Sequence, residues 1–275
     1  MSHLDNPNHT SESKVMSGII LRRIFIAIMV LPSLVFAFKA PDDVKKAKIL
    51  NNAYRIRMPF IENRGQVGSK DVSFYAKTFG GTLFVGKDGI LTYNLPSKDK
   101  GGVVIKEIFT DRMIKIRGLE ASPTRVNYFK GKDKSEWETS IPSYESLSLG
   151  QIYKGIGLEL RAYGNNVEKL YTVYPKNNPD AINIKLIGAK GLKVNEKGEL
   201  EVITECGSAK FTKPLAYQEI DGKRIEIAAS YAILQSKIIR SSALNSLPSA
   251  LSYGFKVDEY NKNYPFISRS TPSLR

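Results

Sequence analysis

Four carboxylates, Glu62, Glu168, Glu219 and Asp221, stand in segments that a β fold can bring together. A carboxylate pair about 5–10 Å apart hydrolyses a glycosidic bond without a histidine. Each also has an ordinary role, because carboxylates next to turns such as Asn63-Arg64-Gly65 or Asp221-Gly222 accept turn amides or pair with lysine. No catalytic residue is therefore assigned, and a carbohydrate-active protein is kept as the alternative reading. Other chemistry is absent for lack of side chains. Both histidines, His3 and His9, precede a hydrophobic segment, and Cys206 is the one cysteine. Beyond that segment no imidazole can serve a Ser-His-Asp or Cys-His arrangement, and no His/Cys cluster can hold zinc or copper. Asp258, Asn261 and Asn263 have a faint likeness to a calcium loop but lack its spacing and terminal Glu, so no metal is expected. Gly80-Gly81 and Gly150–Gly157 lack the strand, glycine loop and helix of a phosphate cradle and read as bulge and turn glycines. The remaining candidate is aromatic. Trp137, with Tyr128, Phe129 and Tyr144, can form a flat platform for a sugar or a peptide.

The elements that carry these residues begin with an export signal. Arg22 and Arg23 precede an apolar run from Ile24 to Phe38, and Val35-Phe36-Ala37 supplies small residues at −3 and −1 of a cleavage site. Cleavage is expected after Ala37, with Met16 a better start than Met1. The 15-residue run spans about 22 Å as a helix, short of the ~30 Å hydrocarbon core. The twin-arginine pattern is imperfect, because Leu21 stands where Ser or Thr is expected, and no cysteine adjoins the cleavage point for lipidation. The product is expected in the periplasm, at the cell surface or secreted, touching the membrane only through an uncleaved signal.

The net charge is +14. It points to an anionic envelope polymer or a partner protein; the lysines are dispersed along strands and turns rather than massed, so nucleic acid is not expected. Cys206 reads as an inert thiol inside an alternating strand, and no disulfide or cofactor is expected.

Asp42 can cap a short helix with Val44, Ala47, Leu50 and Tyr54 on one face, ending before Pro59. Beyond it the period is two. Thr82–Val85 and Ile90–Tyr93 flank an Asp88-Gly89 turn, and Leu192–Val202 reads as a second hairpin turning on Asn195 and Gly198. Further strands are expected at Val72–Ala76, Val103–Phe109, Met113–Ile116, Ile156–Ala162, Val167–Val173, Ile182–Ile187, Leu215–Ile220, Ile225–Leu234 and Tyr253–Val257. Lys237–Ser252 reads as an irregular loop, and no internal repeat is present. The fold class is all-β: a β-sandwich-like domain of many short antiparallel strands, preceded by a signal peptide and one short helix. The segments are 1–37 (signal), 38–58 (helical segment), 59–265 (β domain) and 266–275 (polar, Ser-rich tail).

Pro59-Phe60-Ile61-Glu62-Asn63-Arg64-Gly65-Gln66-Val67 and Phe79-Gly80-Gly81-Thr82 open a series of short motifs. It continues through Thr124–Gly131, Trp137, Ile141–Glu145, Ile152–Ile156, Asn166–Leu170, Asn178–Ile182, Lys213–Gly222 and Tyr253–Val257. In this order they resemble the N-terminal domain of unknown function found in secreted bacterial proteins carrying SBBP-type β-propeller repeats. The resemblance covers roughly residues 45–265. It implies an exported, β-rich domain preceding a propeller, and it supplies no catalytic residues. After Asn263-Tyr264-Pro265 the chain departs from that pattern, the propeller repeats are absent, and a truncated reading frame is one explanation. The functional expectation is a non-enzymatic exported module that acts by surface contact.

Overall fold

Alternation of apolar and polar residues decides the architecture over the residues that this computed structural model describes, namely 52, 56–97, 101–109, 114–164, 166–235 and 251–273. The strands are β1 (Arg57–Met58), β2 (Phe60–Glu62), β3 (Val72–Thr78), β4 (Gly81–Gly86), β5 (Leu91–Leu95), β6 (Val103–Phe109), β7 (Ile114–Ala121), β8 (Val126–Tyr128), β9 (Glu138–Ile141), β10 (Ser143–Tyr153) and β11 (Ile156–Tyr163). They continue with β12 (Val167–Val173), β13 (Ile184–Ile187), β14 (Gly191–Val194), β15 (Leu200–Thr204), β16 (Gly207–Phe211), β17 (Leu215–Ile220), β18 (Lys223–Ile227), β19 (Ala229–Gln235), β20 (Leu251–Val257), β21 (Phe266–Ser270) and β22 (Pro272–Ser273). Every pairing is antiparallel, so the all-β expectation holds.

One large sheet runs in the order β18-β17-β21-β12-β11-β10-β2-β3-β4-β5-β6-β13-β20-β19, with β7 added to β10 and β1 to β11. It curls so that its two halves face each other. Lys169 on β12 reaches Glu107 on β6, and the Tyr153 hydroxyl on β10 donates to the Asn183 carbonyl just before β13. A strand buried on one face must alternate, and β11 does: Ile156, Leu158, Leu160 and Ala162 point inward. Burying each such aliphatic side chain contributes about 1.5–3 kcal/mol. Phe60, Leu83, Leu91, Leu147, Tyr171, Tyr253 and Phe266 complete the middle of the core. A smaller sheet, β14-β15-β16-β22, delivers Phe211 against Tyr253, and β8-β9 form a separate hairpin.

The sheet's two end strands are consecutive in the chain. β18 ends at Ile227 and β19 begins at Ala229, so the expected single strand Ile225–Leu234 bends at Ala228 and serves both halves. The two expected hairpins form as read: Asp88 accepts from the Ile90 amide, and Asn195 accepts from the amides of Lys197 and Glu199. Gly81, at φ 143°, lies where a Cβ would fall 2.3 Å from the Asn94 carbonyl oxygen, so only glycine fits this strand start. Gly150 sits at φ 75° where the β10 register shifts, which makes it the expected bulge glycine.

Several expectations need correction. Residues 266–270 are not a tail: β21 lies between β12 and β17 with Phe266, Ser268 and Ser270 inward, because Phe-Ile-Ser-Arg-Ser alternates and small serines fit beneath the facing sheet. β10, the 11-residue Ser143–Tyr153, was not anticipated, and β7 runs on past Ile116 to Ala121. Cys206 lies in the turn between β15 and β16, half-buried, with its sulfur 3.6 Å from the Gly102 carbonyl. Asn52 is helical and Arg57–Met58 is already strand, so the helix stops before Arg57; the rest of that helix, Met16 and the signal segment with Ala37 lie outside the described residues.

Candidate functional site

The signature loop after β2 is built by its own side chains. Asn63 accepts from the amides of Gly65 and Val67 through Oδ1 and donates through Nδ2 to the carbonyls of Ser69 and Val72. Gln66 donates to the Glu62 carbonyl and accepts from the Arg64 amide, while Arg64 Nε lies 3.2 Å from Glu62 Oε1. Asn-Arg-Gly-Gln is thus a loop-shaping device, and Glu62 is held by its neighbour.

That loop forms one wall of a groove of about 260 Å³, with Gly65 and Gln66 facing Tyr128, Lys130, Ser135, Glu136 and Glu138. The far wall is the β8-β9 hairpin. Its tip carries a 3-10 turn, Lys134–Glu136, capped by Asp133, whose carboxylate accepts from the Ser135 amide and hydroxyl. These bonds favour the ionised form and lower the Asp133 pKa. Trp137 follows directly. Phe129 stands edge-on to it at 4.9 Å between ring centroids, and Lys134 lies 5.9 Å from its ring. Phe129 is 59% exposed, and the buried Trp137 indole N–H has no hydrogen-bond partner among the described residues. Tyr128 shares the hairpin, but Tyr144 does not: it sits on β10 with its ring edge-on to Phe74 and lying over Gly118. Of the expected platform residues, Phe129 and Trp137 are in ring contact and Tyr128 shares their hairpin, whereas Tyr144 belongs to the sheet packing.

The four carboxylates are spread over the sheet, with only Glu219 and Asp221 sharing one hairpin end. Glu168 is nearly buried and pairs with Arg269 at 3.1 Å. Across β21, Gln218 is level with Val173, which places Glu219 six residues along from Glu168, about 20 Å at ~3.4 Å per residue. Glu62, on β2, is three strands from Glu168, about 14 Å at ~4.8 Å per strand. Glu219 and Asp221 are exposed at the end of the β17-β18 hairpin, with Asp221 in its turn at φ 51°. Asn261 is tied into its loop by Gln218 and by the Asn263 amide, and no group of three metal-ligating side chains occurs among the described residues.

A second polar cluster lies in the core. Lys169 and Glu107 are both fully buried and pair at 2.6 Å. Tyr253 donates to the same carboxylate oxygen, Oε1, and accepts from Lys169 at 2.9 Å, while Tyr93 donates to the other oxygen, Oε2, at 3.0 Å. The Phe211 ring lies 4.5 Å from the Lys169 nitrogen. Burial pulls the Lys169 pKa down against the opposing pull of Glu107. Burial, and then the Glu107 charge, pushes Tyr93, Tyr171 and Tyr253 well above the usual phenol range, so all three stay protonated and Tyr93 and Tyr253 remain donors to Glu107. The signal for this pair was parity: Glu107 alternates in phase with Ile105 and Phe109, and Lys169 with Val167, Tyr171 and Val173.

A comparison with curated proteins finds no match. A family model described as "Domain of unknown function (DUF7948)" does match, from residue 60 to residue 267. That span opens at β2 and closes inside β21, so it takes in the curled sheet, the groove and the buried pair. The chain belongs to this DUF7948 family.

Proposed function

We propose that the domain is an exported, non-enzymatic module of the cell envelope or extracellular space, the N-terminal part of a propeller-type protein, and that it works by surface contact through the β8-β9 hairpin. The observation that carries this reading is the exposed Phe129 beside Trp137 on a hairpin that also presents exposed Lys130, Lys132 and Lys134. Flat rings supply contact area at little entropic expense, and lysines supply salt-sensitive attraction to an anionic polymer or an acidic partner. The polar motifs support it too, since Asn63, Asp88 and Asn195 are consumed in their own turns. A carbohydrate-active protein needs two carboxyls facing a common substrate; Glu62 and Glu168 lie three strands apart and Glu168 pairs with Arg269, which favours the surface-contact reading.

The test is binding to isolated envelope fractions. Binding is expected at low salt and should weaken several-fold by about 0.5 M salt, where the Debye length is roughly 4–5 Å. Trp137→Ala should lower affinity with the circular dichroism unchanged. Absence of binding at low salt, or glycan turnover lost in Glu62→Gln, Glu168→Gln or Glu219→Gln, defeats the proposal. Export is tested separately: N-terminal sequencing of the exported form should begin at Phe38, and retention of Ile24–Phe36 in a membrane fraction would contradict it.

A further inference from the structure

We infer that Lys169 and Glu107 are the two halves of an intramolecular amide crosslink that the folded core forms on itself, joining Nζ of one to Cδ of the other. Three requirements of that reaction are met by the geometry. The reacting groups are held together: Nζ lies 2.6 Å from Oε1, so the amine adjoins the carboxyl group it would attack. The site is dry, since both side chains are fully buried and the Phe211 and Tyr253 rings cover the amine. Both carboxyl oxygens are held by hydroxyl donors: Tyr93 on Oε2, where negative charge develops when the carbon becomes tetrahedral, and Tyr253 on Oε1, the oxygen that leaves.

The step balances without an oxidant or a co-reactant. In a low-dielectric core the charged pair is expensive, and moving one proton from Nζ to Oε1 leaves a neutral amine and a carboxylic acid. The depressed Lys169 pKa favours the same transfer. The Nζ lone pair attacks Cδ and forms the N–C bond, with negative charge accumulating on Oε2 opposite Tyr93. A second proton passes from Nζ to Oε1, directly or through the Tyr253 hydroxyl. The Cδ–Oε1 bond then breaks, and Oε1 leaves as water. The product links β6 to β12, strands from the two facing halves of the sheet and 62 residues apart in sequence. In a chain with one cysteine, it would serve as a covalent staple that no disulfide provides.

Mass spectrometry of the purified full chain decides the matter, with no dependence on whether a variant folds. The expected intact mass is lower than that of the chain's own sequence by one water, about 18 Da. Trypsin should fail to cut after Lys169 and should yield one branched peptide containing residues 107 and 169. Lys169→Met should restore the full mass and both linear peptides. A wild-type mass equal to that of the unmodified sequence, with Lys169 cleaved normally, overturns the inference and leaves the pair as a buried ion pair only.

Discussion

The pair at the centre of the core sets the largest single-residue effects expected in this domain. Lys169→Met removes the tie between β12 and β6 and leaves Glu107 as a buried carboxyl without its partner, so unfolding free energy should fall by about 3–5 kcal/mol in urea titrations. Tyr93→Phe removes one donor from Glu107 and should cost less, about 1–3 kcal/mol. A charge cluster at the rim behaves differently. Glu201 receives Lys193 and Lys210 from the flanking strands, at 2.9 and 3.1 Å, together with the Asn195 amide. These bonds lower its pKa from 4.5 to about 2. A carboxylate lowered by folding stabilises the native state above its unfolded pKa, and that stabilisation is lost as pH falls from about 4.5 towards 2. Thermal unfolding followed from pH 6 to pH 2 should show this loss in the wild type, and Glu201→Gln should flatten part of it. The core pair itself was legible only as parity. Alternation puts Glu107 and Lys169 on inward faces, but a period says nothing about which inward residues of distant strands meet, and charged residues are ordinarily assigned to the solvent side.

At the scale of elements, hairpins were read well because their information is local. Asp88-Gly89 and Asn195 with Gly198 determine turns within a few residues, and the partner strands adjoin them. β10 and β21 were missed because theirs is not. In β10, serines at 143, 146 and 148 dilute the apolar signal and Gly150 interrupts its period, although Leu147, Leu149 and Ile152 are fully buried against β7 and β11. Serine is as good as leucine where a facing layer leaves little room, and only the folded layer reveals that. β21 yields a sharp expectation. It is the sole link in the sheet between β12 and the β17-β18 hairpin, so a chain ended at Pro265 should lose its cooperative unfolding transition and expose apolar surface to a hydrophobic dye. A dispensable tail would leave both unchanged. Gly118 offers a smaller test: a Cβ there would lie 2.3 Å from the Tyr144 ring, so Gly118→Ala should lower stability by about 1–3 kcal/mol, measured by thermal melting.

For the whole molecule, the division between one large curled sheet and the separate β8-β9 hairpin has a spectroscopic signature. Two-stranded hairpins are marginal by themselves, and Trp137, the chain's single tryptophan, reports on this one. Its fluorescence should change at a lower urea concentration than the far-UV circular dichroism of the main sheet; coincident transitions would show the hairpin to be welded to the core. The order of the large sheet also governs when folding can occur. β12 pairs with β21 through Lys169 and Ser270, contacts separated by a hundred residues, and β17 reaches the sheet only through the same late strand. A ribosome must therefore have made nearly the entire domain before the β12-β21 and β17-β21 pairings can close, and the slow search expected of such distant contacts follows synthesis rather than accompanying it. Until then the outer edge of β12 has no strand beside it, and the β17-β18 hairpin waits for its place.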